Sequence, residues 1–315
     1  MPFVSSIRGN YKSKPVQEPE FKITGGDTVF TAGGYTVHMF TSVGESSLLI
    51  ENLRKQSNLM NLHSGTLQLE YLVVAGAASG GNSFGNQTGG VGGGGAGGFK
   101  SSNLNLSSGP YPVNVGAGGA PSTVSSGPSL VGNDGSPSTF GPITSTGGGG
   151  GGADPRTSGN PGGSGGGGGP GGGPGSGISG EGNPGGSVAD GNRYGGGGGA
   201  ASVGQPGFLA EPNTHGAGGT GIFSYMAGTG TVYSCGGGAG STNNGAGGFS
   251  NPAAGGGPTA GTSGSFGTDT AAARNGTPGT ANSGSAGGST SAGDGGYQRI
   301  SGGGGSGVVI VRYLK

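Results

Sequence analysis

Ser306-Gly307-Val308-Val309-Ile310-Val311-Arg312-Tyr313-Leu314, close to the C-terminal end of the chain, is a compact β-branched segment, the composition of a β-strand. One short strand is not stable alone and must pair with others. The distribution of core-forming residues says where those others lie. Leu, Ile, Val and Phe total 50, of which 34 fall in residues 1–146, 11 in residues 147–300 and 5 in the last fifteen positions. Partners for the terminal strand are therefore expected upstream of residue 146. The N-terminal half and the C-terminal tail (residues 21–146 and 301–315) are expected to form one antiparallel β-sandwich. Residues 147–300 then form an insertion that leaves the sandwich and returns.

The upstream half supplies strand patterns. Leu67, Leu69, Tyr71 and Val73 alternate against Gln68, Glu70, Leu72 and Val74. The second half of that segment is apolar on both sides, as in a central strand. In Tyr35-Thr36-Val37-His38-Met39-Phe40-Thr41, the bulky residues Tyr35, Val37 and Met39 recur with period two. Phe21-Lys22-Ile23 and Val29-Phe30 flank a Gly25-Gly26-Asp27 turn signal, and Ser46 to Ile50 is a further short strand. Tyr111-Pro112-Val113-Asn114-Val115 also alternates, and its proline points to a sheet edge. Residues 51–63, polar with scattered leucines, read as a loop or short helix.

Of 315 residues 90 are Gly and 19 are Pro, for the two combined about three times ordinary usage. Glycine runs stand at 92–95, 147–152, 165–169, 171–173, 195–199, 236–238, 255–257 and 302–305. No sustained every-third-residue register is present, which excludes collagen. A flexible linker is one reading of such composition. Against it stands the entropy of ordering glycine. The 83 glycines after residue 70 add about 40–80 kcal/mol to the cost of a fixed backbone. An ordered chain carries that only where a Cβ cannot fit. Extended three-per-turn helices packed side by side have this requirement throughout, and their amides can bond to neighbouring segments in place of an oily core. The runs are punctuated by turn signals such as Asn160-Pro161-Gly162, Asn183-Pro184-Gly185 and Thr277-Pro278-Gly279, and by solitary aromatics, neither of which a random linker needs. The expected fold is all-β with a non-regular glycine-rich region: an antiparallel sandwich plus an inserted bundle of polyglycine-II-type helices over residues 147–300.

Thirteen basic and thirteen acidic residues give zero net charge, which argues against sequence-blind nucleic-acid binding. No apolar run approaches the roughly 18 residues of a membrane span, and no signal-peptide pattern is apparent. Cys235 is the single cysteine, so the chain forms no internal disulfide. Residues 1–20 read either as a mobile terminus or as an extended docking arm that orders against a larger assembly, with Arg8, Tyr11, Lys12 and Lys14 as its contact residues and Pro2, Pro15 and Pro19 opposing regular structure.

Four stretches resemble glycine-rich proteins of tailed bacteriophages, marine and cyanobacterial ones in particular. They are Ile23-Thr24-Gly25-Gly26 leading to Tyr35–Phe40; Leu69-Glu70-Tyr71-Leu72-Val73-Val74-Ala75-Gly76; Tyr111-Pro112-Val113-Asn114-Val115-Gly116-Ala117-Gly118-Gly119; and Gly305-Ser306-Gly307-Val308-Val309-Ile310-Val311-Arg312-Tyr313. Ser138-Thr139-Phe140-Gly141 before the 147–152 run also fits, and the opening residues 1–11 are similar to arms of cyanophage virion proteins. The resemblance implies a virion protein of fibre, tail-tip or capsid-surface type. It implies virion proteins as partners through the arm and a host-surface glycan or protein as ligand.

Catalytic chemistry has no clear carrier. The acids after residue 70 (Asp134, Asp154, Glu181, Asp190, Glu211, Asp269 and Asp294) suggest no dyad by spacing, and His38, His63 and His215 show no metal spacing. Strings of GxGxxG type arise by chance at this glycine frequency and carry no weight without a strand–helix context. No catalytic, cofactor or metal residue is assigned. Aromatics among the glycines are the candidates for surface binding, since a rigid ring suits a sugar face or a protein pocket. They are Tyr194, Phe208, Phe223, Tyr225, Tyr233 and Phe266. Each has the competing role of capping the glycine bundle. An ice-binding role would need regular Thr ladders, which are missing, and an elastic matrix role predicts no cooperative melting.

Overall fold

A computed structural model describes residues 20–53, 65–83, 90–154, 157–188, 193–207, 215–240, 255–263, 274–291 and 298–315. The arm residues Arg8, Tyr11, Lys12 and Lys14, and most of the 51–63 segment, lie outside them. Among the described residues the regular structure is antiparallel β, with no α-helix.

Two five-stranded sheets face each other. The first has the order β1 (Phe21–Thr24), β4 (Gly44–Asn52), β7 (Gly109–Val115), β9 (Ser138–Phe140), β10 (Ile143–Ser145). The second runs β2 (Thr28–Ala32), β3 (Tyr35–Phe40), β14 (Val308–Leu314), β5 (Leu67–Val74), β6 (Phe99–Leu106). The terminal segment thus lies at the centre of the second sheet, with Ile310 opposite Met39 of β3 on one side and Leu72 of β5 on the other. Between the sheets Leu48, Ile50, Val113, Val115 and Phe140 of the first meet Phe40, Leu69, Tyr71, Val73, Val309 and Val311 of the second.

The second sheet is also covered on its other face. Val37, Leu72, Val74, Val308 and Ile310 pack there against Met226 and Tyr233, which belong to a hairpin of β11 (Ile222–Ser224) and β12 (Thr231–Tyr233); a separate short ladder joins β8 (Thr123–Val124) to β13 (Arg299–Ile300). Burial on both faces is the reason why Leu72-Val73-Val74 and Val308-Val309-Ile310-Val311 are continuously apolar.

Two local readings change. Gly25-Gly26 does not close a hairpin. β1 pairs with β4 and β2 with β3, so this link carries the chain from one sheet to the other. Both glycines have positive φ, +120° and +96°, which L-residues with a Cβ seldom adopt. The Asp27 carboxylate fixes the link by accepting the Thr41 and Ser42 N–H groups at 2.6 and 2.7 Å. These bonds, that of Ser42 first, hold its carboxyl below the ordinary value. Second, β7 is an inner strand, although Pro112 suggested an edge. It pairs with β4 along its length, but with β9 only at Val113 and Asn114. The Pro112 carbonyl accepts Gly141 N–H on the β9 side, so its donor-less nitrogen also faces that side, beyond the β9 ladder. Phe99–Leu106, which no side-chain pattern marked, is also a strand; β6 forms the edge of its sheet and its polar middle is exposed.

Beyond the sheets, the glycine segments bond main chain to main chain outside any β-ladder, and their partners repeat every third residue. From residues 92, 95 and 98, N–H groups donate to carbonyls of 152, 149 and 146. Those of 93 and 96 donate to 195 and 198, and those of 94 and 97 to 287 and 284. The same holds for 75–82. There 75, 78 and 81 donate to 98, 95 and 92; 76, 79 and 82 to 136, 133 and 130; 77 and 80 to 305 and 302. Segments 164–169 and 195–200 repeat it with other partners. A β-strand alternates between two neighbours; here each segment donates toward three. The pattern is not confined to residues 147–300. It begins at Ala75, directly after β5, and reaches Gly305, just before β14. Buried main chain is thereby satisfied without a ladder. Close approach follows: a Cβ on Gly93 would meet the Gly237 carbonyl, and one on Gly97 the Ala75 carbonyl.

Candidate functional site

The six aromatics singled out in the glycine-rich half have different fates. Phe208 and Phe266 lie outside the described residues. Tyr194 is fully buried; its ring stacks on His215 with centroids 6.1 Å apart and planes 9° from parallel. Tyr233 is buried against the outer face of the second sheet. Neither can meet a ligand, which corrects the surface-binding reading for both: their rings fill space between segments. Phe223 and Tyr225 are exposed, at 54% and 64%. Their rings meet edge to face, 4.9 Å between centroids at 87°, a favourable aromatic geometry. Gly230 leaves the space, since a Cβ there would strike the Phe223 ring.

The hairpin that carries this pair is anchored to the second sheet. Met226 and Tyr233 press on its apolar half. A Cβ on Gly228, in the turn, would come within 2.7 Å of the Ala32 Cβ on β2. Arg312 of β14 donates from Nη1 to the Tyr225 carbonyl at 3.3 Å.

Arg312 is the centre of a second group of residues. Its Nε and Nη2 donate to Glu70 Oε2 at 2.8 and 2.6 Å, a charge-assisted pair between adjacent strands. The guanidinium lies 4.3 Å from the Tyr35 ring centroid, in cation–π range. The Tyr35 hydroxyl donates to Glu70 Oε1 at 3.1 Å. Beside them is a groove of about 250 Å3 lined by Tyr35, Gln68, Glu70, Asn103, Arg312 and Leu314, among others. Gln68 and Asn103 are exposed. The readings that picked out the aromatic residues missed Glu70 and Arg312. Their signal was present: the same face of β5 and β14 changes from Leu72 and Ile310 to Glu70 and Arg312, at positions that pair across the ladder.

The other polar groups lie inside. His38 is buried, its Nδ1–H donating to the Gly25 carbonyl at 2.7 Å, with its ring stacked on Tyr313. Cys235 is buried beside Thr259. Glu181, largely buried, pairs with Lys100 at 2.8 Å and accepts the Thr146 N–H. Asn82, Thr290, Ser83 and Arg299 form a hydrogen-bonded group, and burial followed by Arg274 pushes the Arg299 guanidinium down from its ordinary value.

Burial, then the Arg193 charge, pushes the His215 imidazole down to about 4 from 6.5. The folded state therefore favours neutral His215. Stability from this group is complete above about pH 6.5 and is lost as pH falls toward 4. The expected loss is about 2–3 kcal/mol across that window. Urea unfolding at pH 7.5 and 4.5 measures it, and the His215→Gln variant should lose this share of the pH dependence. An equal slope in both proteins would refute the assignment.

A family profile described as a glycine-rich domain matches residues 55–314. No curated protein matches the chain.

Proposed function

The chain belongs to the glycine-rich domain family, and on that premise we propose that it is a non-enzymatic structural protein that displays a binding surface, projecting from the particle of a tailed phage. In this reading the glycine segments run as polyglycine-II-type helices. The three-residue repeat of donor partners supports that conformation, because three residues per turn send successive amides toward three neighbours. The resulting block is stiff without an oily core, which suits a spacer or fibre element. The body of the bundle is proposed within residues 147–300, with segments 75–82, 92–98 and 302–307 joining it to a sandwich base built from the strands of residues 21–146 and 301–315.

The observation that carries the surface-binding reading is the exposed Phe223–Tyr225 pair on an anchored hairpin. A ring with few rotamers, held out into solvent at fixed geometry, loses little entropy on binding. The virion setting rests on the sequence resemblance, and residues 1–20 are proposed as the arm that docks on other virion proteins. The ligand is proposed to be a host-surface glycan or protein. A capsid-surface or head-fibre position is the alternative within the same family of functions.

Mass spectrometry of purified particles encoding this chain is expected to find it in stoichiometric amounts. Particles that lack it end the virion reading. Deleting residues 1–20 is expected to abolish incorporation while leaving the melting of the isolated protein unchanged; full incorporation of the truncated chain would remove the arm as the dock.

A further inference from the structure

We propose that the groove formed by Tyr35, Gln68, Asn103 and Arg312, with Tyr225 and Phe223 beside it, binds a neutral oligosaccharide. The inference deepens the surface-binding reading above and rests on it.

Four observations point to this ligand. First, the groove mixes Gln68, Glu70, Asn103 and Arg312 with Tyr35 and Leu314 and lies on a sheet face, not along an unpaired strand edge, so it does not offer the main-chain row that captures a peptide strand. It also lacks a deep apolar pocket for an aromatic anchor of the kind that dominates protein interfaces. Second, no side-chain hydrogen bond among the described residues occupies the Gln68 or Asn103 amides, and both are exposed. A carboxamide offers a donor and an acceptor side by side, the arrangement that two adjacent hydroxyls of a sugar ring can meet. Third, the local charge is already balanced. Arg312 is engaged by Glu70 through two bonds and by the Tyr225 carbonyl, while Glu70 is held by Arg312 and Tyr35. An acidic sugar would have to displace Glu70 to gain the guanidinium; a neutral one does not. Fourth, the groove holds about 250 Å3, less than drug-sized pockets of roughly 300–1,000 Å3. That space suits one sugar ring, with the rest of the oligosaccharide outside.

The aromatic pair supplies what lies outside. The Tyr225 carbonyl accepts from Arg312 in the wall of the groove, which sets the hairpin that carries the aromatic pair next to it. Exposed ring faces accept the C–H face of a pyranose by dispersion and desolvation. The Arg312 contact to the Tyr225 carbonyl fixes the spacing between groove and platform, so the geometry exists before the ligand arrives.

The full chain is tested on an array of neutral oligosaccharides ending in glucose, galactose, mannose or their N-acetylated amines, with uronic-acid and sialylated sugars alongside. Titration calorimetry of the best ligand follows. At least one neutral oligosaccharide is expected to bind. Tyr225→Ala and Asn103→Ala are each expected to weaken it at least tenfold with the melting temperature unchanged, since both side chains are exposed. Lys22→Ala, on β1 of the other sheet, is expected to have no effect. Absence of neutral-glycan binding, preference for acidic sugars, or binding that ignores both groove variants overturns the proposal. Host-cell adsorption of the same variants separates the two readings. Adsorption that persists in Tyr225→Ala and Asn103→Ala leaves the surface-binding reading standing and removes the groove. Sugar binding that depends on both residues in a protein missing from particles keeps the groove and removes the virion setting.

Discussion

Gly197→Ala is expected to destabilise the protein by about 3 kcal/mol or more, although it adds a single methyl group. Gly197 is buried, donates to the Gly237 carbonyl at 2.9 Å, and faces the Gly94 carbonyl where its Cβ would go. Steric relief needs one of the two segments to move. Both are tied on other sides: Gly94 donates to Gly287 and accepts from Gly237. Any shift that frees the methyl lengthens those bonds, and buried main-chain groups without partners cost about 1–3 kcal/mol each. Gly173→Ala is the matched control. Gly173 is exposed, and its Cβ would meet only Ser158 Oγ, at 3.9 Å. Here the reduced freedom of the unfolded chain dominates, and the change should be neutral or stabilising by up to about 1 kcal/mol. Chemical denaturation of the three proteins side by side decides. Equal stabilities for Gly197→Ala and wild type would mean that the close approach of segments does not contribute.

How much of this could be read from residues varied by mechanism. Strands buried on one or two faces were legible because burial imposes a pattern: β5 and β14 follow from Leu67 to Val74 and from Val308 to Val311. The edge strand β6 was not. Lys100-Ser101-Ser102-Asn103 pairs with β5 through its backbone, and backbone pairing leaves no mark on side chains. The hairpin of β11 and β12 escaped because its strands are three residues long, too short for alternation to register. Where the glycine segments begin also escaped. Ala75, Ala77, Ala78 and Ser79 stand outside the glycine runs, yet all are fully buried among glycine segments. Of the aromatics, the sequence could give number and spacing but not exposure: Tyr194 and Tyr225 look alike until neighbours are placed. Glu70 and Arg312 were visible as charges in apolar strands, but their meeting depended on the register between β5 and β14.

Amide hydrogen exchange should then separate by hydrogen-bond geometry, not by composition. The amides of residues 92–98 lie in a glycine-rich part of the described chain, where an unstructured segment would exchange at the rate of a free peptide. Each of them donates to a different segment: 146, 149 and 152 on one side, 195 and 198 on a second, 284 and 287 on a third. Local fraying of one neighbour leaves the other two in place, so no small opening exposes the whole segment. Exchange is expected to need cooperative opening of the block. For a domain of ordinary stability, 5–15 kcal/mol, that slows exchange by about 10^3-fold or more relative to a free peptide. The amides of β14 should be slowed comparably, because residues 302–307 lead straight into it and donate to 288, 119, 285 and 116. Mass-spectrometric exchange at neutral pH, read on peptides spanning 90–99 and 306–315, tests both statements. Fast exchange at 92–98 with slow exchange at β14 would show that the sandwich alone is stable and the glycine segments are only draped on it. Slow exchange at both, lost together in Gly197→Ala, would show that sandwich and glycine segments unfold as one unit held in large part by main-chain bonds.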